Sequence, residues 1–259
     1  MAYKKLKYWF DADLAVKLAA KISVYHAGFP QKEFVEIIET SIPTQELKAR
    51  VETIADAIHV AFEEDYITAI GALLNILGPI NKNETGMFTE YYWLMPVAKY
   101  VEKFGLDHFK VSIKAIEEIT KRNTGEYAIR PYLEKHTIET LKQMMLWTGH
   151  KNSHVRRLAS EGLRPRLPWA SKMKRFIDDP SPIIPVLNQL KDDPSKYVQK
   201  SVANCLNDIL KDNPGIGKKV IEAWNISQIS TERRWIIKHA LRNLIKANDA
   251  WALDITARN

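Results

Sequence analysis

One cysteine in 259 residues, Cys205, excludes an intramolecular disulfide framework and fits a reducing compartment. Long hydrophobic runs are missing as well: the longest uncharged stretch, residues 66–81, includes Asn75 and is too short to span a bilayer. The start, MAYKKLKYWFDADL, is basic but has no apolar core before Asp11 and Asp13, so it does not read as a secretory signal. A soluble, cytoplasmic protein is expected. No stretch alternates with period two for long enough to make a strand. Phosphate-cradling or dinucleotide glycine patterns and a Ser/His/Asp arrangement are also missing, which leaves nucleotide hydrolysis and acyl transfer without support. His150 and His154 stand close together without further ligands, and neither a metal nor a cofactor is expected.

What the chain does contain is helix-forming sequence. Hydrophobic content of 46% and charged content of 27% are those of an ordinary globular protein. DADLAVKLAAKISVYH (11–26) places Leu14, Ala15, Leu18 and Ile22 on one face behind Asp11 or Asp13 as N-cap. KEFVEIIET (32–40) follows a turn, and Pro43–Thr44 is expected to open a longer helix through residue 65. ITAIGALLNIL (67–77) is apolar enough to be buried, and Pro96 implies a kink or a new start. DHFKVSIKAIEEITKRN (107–123) is amphipathic with a basic end. The expected class is all-α.

Charge is divided unevenly. Residues 1–130 carry 16 Lys/Arg against 18 Asp/Glu, whereas residues 131–259 carry 22 against 13, which gives the net +7. Residues 151–175 hold eight basic side chains and one acid, Glu161. Such a block reads as a surface for a polyanion, most simply nucleic-acid phosphate. Within it, SHVRRLASEGLRPRLPW (153–169) forms a helix with Val155, Leu158, Ala159 and Gly162 as its apolar stripe. Arg157, Ser160 and Glu161 then fall on the opposite, outer face, with an Arg157–Glu161 pair at i,i+4. Pro165 and Pro168 stop the helix and leave Arg164, Arg166 and Trp169 on a stiff segment.

The second half also repeats. SHVRRLASEGL, KYVQKSVANCLNDILKD and ERRWIIKHALRNLIK resemble one another at spacings of 43 residues (Val155 to Val198) and 37 residues (Ala203 to Ala240), with Asp-Pro or Asn-Pro punctuation between. Helix pairs near this period read as HEAT-like units of an α-solenoid, a curved superhelix with a basic concave face. A single domain over 1–259 is expected, with N-terminal helices to 123 and the repeat region, with the site, over 124–259. Overlaying the repeats puts Glu161 over Asn204, with Asp208 one turn beyond, so the two acids are expected to face one groove. Taken alone, Asp208 reads equally as a solvated acid balancing Lys211. Trp147, Trp224 and Trp235 are assigned to the core.

GEYAIRPYL (125–133), HVRRLASEGLRPRLPW (154–169) and VANCLNDILKDNP (202–214) resemble the AlkC branch of the AlkC/AlkD family of DNA alkylation repair glycosylases. LKARVETIADAI (47–58) and the stretch 95–120 are similar to that family too, so the resemblance covers essentially the whole chain. AlkD-type members lack the RRLASEGLRPRLPW string. Some members carry an added immunoglobulin-like domain, for which a chain ending at Asn259 would leave no room.

The resemblance implies a monofunctional glycosylase of base excision repair. It would hydrolyse the N-glycosidic bond of cationic N-alkylated bases such as 3-methyladenine, 3-methylcytosine and 1-methyladenine in double-stranded DNA, as a monomer. It assigns catalysis to Glu126, Glu161 and Asp208, which would stabilise an oxocarbenium-like sugar and position water. Arg156, Arg157, Arg164, Arg166 and Lys172 become DNA-contact candidates, and Trp169 could stack on a sugar or base. The alternative is a non-catalytic HEAT-repeat module that binds DNA or a protein. A pure phosphate binder gains nothing from three acids, and their retention favours the enzyme.

Overall fold

The computed structural model describes residues 4–63, 65–86 and 88–258, and every regular element among them is helical. Residues 1–3 of the basic start, and residue 64 in the expected third helix, lie outside the described residues. The chain divides into two compact units, Met1–Lys135 and His136–Asn259, a division that leaves Glu126 in the first and Glu161 and Asp208 in the second.

The first unit contains α1 (Ala12–Ser23), α2 (Gln31–Ser41), α3 (Leu47–Ala61), α4 (Tyr66–Asn75), α5 (Met95–Phe104) and α6 (Phe109–Thr120). Asp11 caps α1 by accepting from the Leu14 amide, and Leu14, Ala15, Leu18 and Ile22 are buried as their spacing requires. The third helix starts at Leu47 rather than at Pro43–Thr44. Arg50, itself buried, holds the intervening segment out of the helix by donating to the carbonyls of Gln45 (2.9 Å), Pro43 (3.4 Å) and Phe10 (3.1 Å). Pro96 lies in the first turn of α5, where its missing N–H costs nothing, so it marks a start and not a kink. Helix α1 packs on α2, α2 on α3, α3 on α5 and α5 on α6.

A buried hydroxyl cluster ties α4, α5 and α6 together. Tyr66 and Ser112 share a hydrogen bond at 2.7 Å, Ser112 donates to the Gly105 carbonyl, and Tyr132 donates to that of Val101. Burial pushes the Tyr66 hydroxyl up to about 12. Gly105 is required here for space: a Cβ would stand 2.5 Å from both the Ser112 and Tyr66 oxygens and closer still to that of Tyr132. Gly105→Ala is therefore expected to destabilise the protein by about 1–3 kcal/mol through overpacking, read as a lowered denaturation midpoint. An unchanged midpoint would mean that the cluster yields freely.

The second unit contains α7 (Thr137–Trp147), α8 (Ser153–Glu161), α9 (Ile184–Leu190), α10 (Lys196–Asp212), α11 (Pro214–Trp224), α12 (Thr231–Ala240) and α13 (Ala250–Ala257). Asn152, Ser195 and Ser230 cap α8, α10 and α12 through their side-chain oxygens, and Pro214 opens α11. Helix α8 packs on α10 and α10 on α12, so the three segments that resemble one another in sequence stand side by side. Trp147 and Trp224 are core residues. Trp235 is not: it is half-buried on α12, under a lysine of the neighbouring helix. Among the described residues, no helix is long and apolar enough to cross a membrane.

Candidate functional site

Helix α8 has no solvated outer face. Val155, Leu158 and Ala159 are buried as expected, but Ser160 and Glu161 are buried as well, because α10 covers the side that amphipathic spacing assigns to water. Ser160 and Ser201 share a hydrogen bond of 2.6 Å at this contact. Helix α10 follows the same pattern, with Asn207 and Asp208 buried beside its apolar stripe. Asn207 donates to the Ala240 carbonyl on α12 and accepts from Asn243, which fixes the register of that last pair. The solvated reading of Asp208 as a balance for Lys211 is thereby excluded: Asp208 is 2% exposed.

What holds the two acids is Arg164. Gly162 ends α8, and the turn that follows is anchored by Leu163, Leu167 and Met173, all buried. Arg164 sits in this turn just before Pro165 and is 7% exposed. Its Nη1 donates to Glu161 Oε1 at 2.9 Å, its Nε to Asp208 Oδ2 at 2.9 Å, and its Nη2 reaches Asp208 Oδ1 at 3.5 Å. One guanidinium thus bridges carboxylates from neighbouring helices, a geometry that a planar fork of donors allows and a point charge does not. The expected Arg157–Glu161 pair exists but is looser, at 3.6 Å.

Burial raises the Asp208 carboxyl above its ordinary range, and Arg164 pulls the other way. Arg164 loses solvation too, yet Glu161 and Asp208 outweigh that loss and hold its proton more tightly than usual. Cys205 lies fully buried beneath the cluster, where desolvation drives its thiol well up and keeps it inert. The arrangement is a compact cluster of two acids and one cation, largely shielded from water, in which electrostatic interactions are strong.

The other candidates are placed as follows. Arg156 makes a bidentate pair with Asp193, at 2.7 and 3.1 Å, and Arg166 pairs with Asp212. These two guanidinium charges are compensated within the protein, and each joins a loop or turn to its neighbour. Arg157 lies over the Tyr197 ring at 4.7 Å, and Lys172 is exposed. Trp169 is 69% exposed on a backbone with φ of 65°, an uncommon conformation for so large a side chain. In the first unit, Glu126 is 8% exposed and takes a 2.8 Å hydrogen bond from the Thr124 hydroxyl. Gly125 lets this segment lie against α6, since a Cβ there would meet Thr120 Oγ1 at 2.6 Å and Ile116 Cγ2 at 2.8 Å. No group of three or more His, Cys, Asp or Glu side chains among the described residues could hold a metal ion.

The bridging role of Arg164 escapes sequence reading because its second partner is 44 residues away and its first lies across a helix end.

Helices stacked in register around buried paired acids belong here to a defined class. The family of DNA alkylation repair enzymes matches residues 97–244, and the chain belongs to it. It is 38% identical over 249 residues to the protein YhaZ of Bacillus subtilis (strain 168), a match that spans 96% of this chain and 67% of that one. Among solved structures it is similar to the Pseudomonas fluorescens alkylpurine DNA glycosylase AlkC bound to DNA containing an abasic site analog. That similarity has a TM-score of 0.88 and 33% identity over 98% of this chain and 68% of the other.

Proposed function

We propose that the protein is a DNA glycosylase that removes cationic N-alkylated bases, such as 3-methyladenine, 3-methylcytosine and 1-methyladenine, from double-stranded DNA. The observation that carries the reading is the pair Glu161 and Asp208, buried and bridged by Arg164 in a member of a DNA alkylation repair family. A base that already bears a positive charge leaves without being protonated. The C1′–N bond breaks with its electron pair going to the base, which becomes neutral, and the sugar is left as an oxocarbenium-like cation. Fixed carboxylates stabilise that cation electrostatically, and one of them accepts the proton of the water that adds to C1′. Arg164 holds both acids in place and opposes the effect of burial on Asp208. Glu126 enters this reading through the family resemblance alone. Arg157 and Lys172 serve as phosphate contacts and Trp169 as a stacking contact at the sugar or base.

The test is base release from duplex DNA carrying 3-methyladenine, compared with duplex carrying its uncharged 3-deaza analogue, in buffer with chelator. Release of the cationic base and retention of the neutral one is expected. Binding of both duplexes without release of either would leave the non-catalytic module as the reading.

A further inference from the structure

Beyond the acid pair, α10 and the residues that follow α12 carry positive groups that form no ion pair with a carboxylate among the described residues. Lys196 and Lys200 are one turn apart on α10, an i,i+4 spacing at which like charges repel. His239 and Arg242 face them from α12 and the residues just after it. None of Lys196, Lys200 and Arg242 forms an ion pair with a carboxylate among the described residues; Lys196 bonds to the Gln199 side-chain oxygen and Arg242 to the His239 carbonyl. One end of the row packs on an aromatic ring. Lys196 Nζ sits 3.8 Å from the centroid of the Trp235 ring, and His239 stacks on that ring at 4.7 Å and 10°. Arg157 on Tyr197 repeats the device one helix earlier. At its far end Arg242 feels the charges of Arg164 and Asp208, and Asn243 beside it donates to Asn207, the neighbour of Asp208, so the row reaches the acid pair.

Resting on the glycosylase reading above, we infer that Lys196, Lys200 and Arg242 form a track that binds the phosphates of one DNA strand leading away from the lesion. Lys196 and Asp208 are twelve residues apart on one helix, or about 18 Å at 1.5 Å per residue, which matches about five nucleotides of one strand at ~3.4 Å each. Burial and the neighbouring Arg242, Lys200 and Lys196 together hold the His239 imidazole below its ordinary value, as a field of uncompensated positive charge should. Such a field is repulsive in the free protein and is relieved by a polyanion. The Trp235 ring fixes where the Lys196 ammonium stands, and Lys196 and Lys200 are both exposed.

The experiment measures the affinity of the full chain for undamaged duplex DNA across a salt series. The Lys196→Gln/Lys200→Gln double variant is compared with wild type and with Lys219→Gln, an exposed lysine on α11. The double variant is expected to flatten the slope of log K against log salt by about 0.9 per lost phosphate contact, roughly 2 in all, with Lys219→Gln like wild type. An unchanged slope in the double variant, with wild type releasing methylated bases, overturns the track and leaves the glycosylase. A flattened slope with no base release by wild type keeps the track and overturns the glycosylase.

Discussion

Replacing Arg164 with methionine is expected to cost the fold about 3–5 kcal/mol and to make the loss depend on pH. Removing one partner of a buried ion pair leaves the other charge without compensation, and here a single guanidinium serves two carboxylates. Methionine keeps much of the volume and none of the charge, so the effect is electrostatic and not a cavity. The pH dependence follows from Asp208, whose carboxyl burial already pushes up while Arg164 pulls it down. Without Arg164 only Lys211 and the Arg166 amide still oppose the burial, and the folded state binds that proton more readily than the unfolded state does. A group whose folded value lies above its unfolded value loses stability as pH rises through that range. The deficit of Arg164→Met relative to wild type should therefore be greatest near neutral pH and shrink as pH approaches the ordinary carboxylate value of about 4. Urea midpoints at the two ends of that range decide the matter: an equal deficit at both would mean the acids are not buried charges in solution.

The second large effect is on chemistry. Asp208→Asn and Glu161→Gln keep shape and remove charge, and each is expected to lower single-turnover excision of a cationic lesion by about 10²–10³-fold, the scale of losing one preorganised electrostatic group. Both acids share Arg164, so their effects should not add: the double variant should be less impaired than the product of the two singles. Additive losses would indicate independent roles and argue against a bridged pair.

Much of this could be read from the chain. Asp11 was one of two N-cap candidates and a new start one of two readings of Pro96, and the overlay of Val155 on Val198 set Glu161 and Asp208 on adjacent helices. The misreadings of burial on α8 and α10 share one cause. Amphipathic spacing assumes that a helix has one packed face, whereas α8 and α10 are covered on two, so Ser160, Glu161 and Asp208 went inside with polar partners instead of outside with water. Arg164 was legible as a cation near Glu161 but not as the bridge to Asp208, since no local pattern records a contact across 44 residues. Trp235 looked like core because tryptophan usually is; the lysine above it on the next helix is what makes it a mount. Arg156 and Arg166 read as phosphate contacts because their aspartate partners, Asp193 and Asp212, lie 37 and 46 residues away.

The central claim is that buried carboxylate charge, and not DNA binding as such, drives release of the base. Its most direct test is single-turnover excision of 3-methyladenine from a defined duplex by wild type and Asp208→Asn, with duplex affinity measured alongside. A rate lower by about 10²-fold or more with affinity nearly unchanged is the predicted result. Equal rates in the two proteins would contradict it.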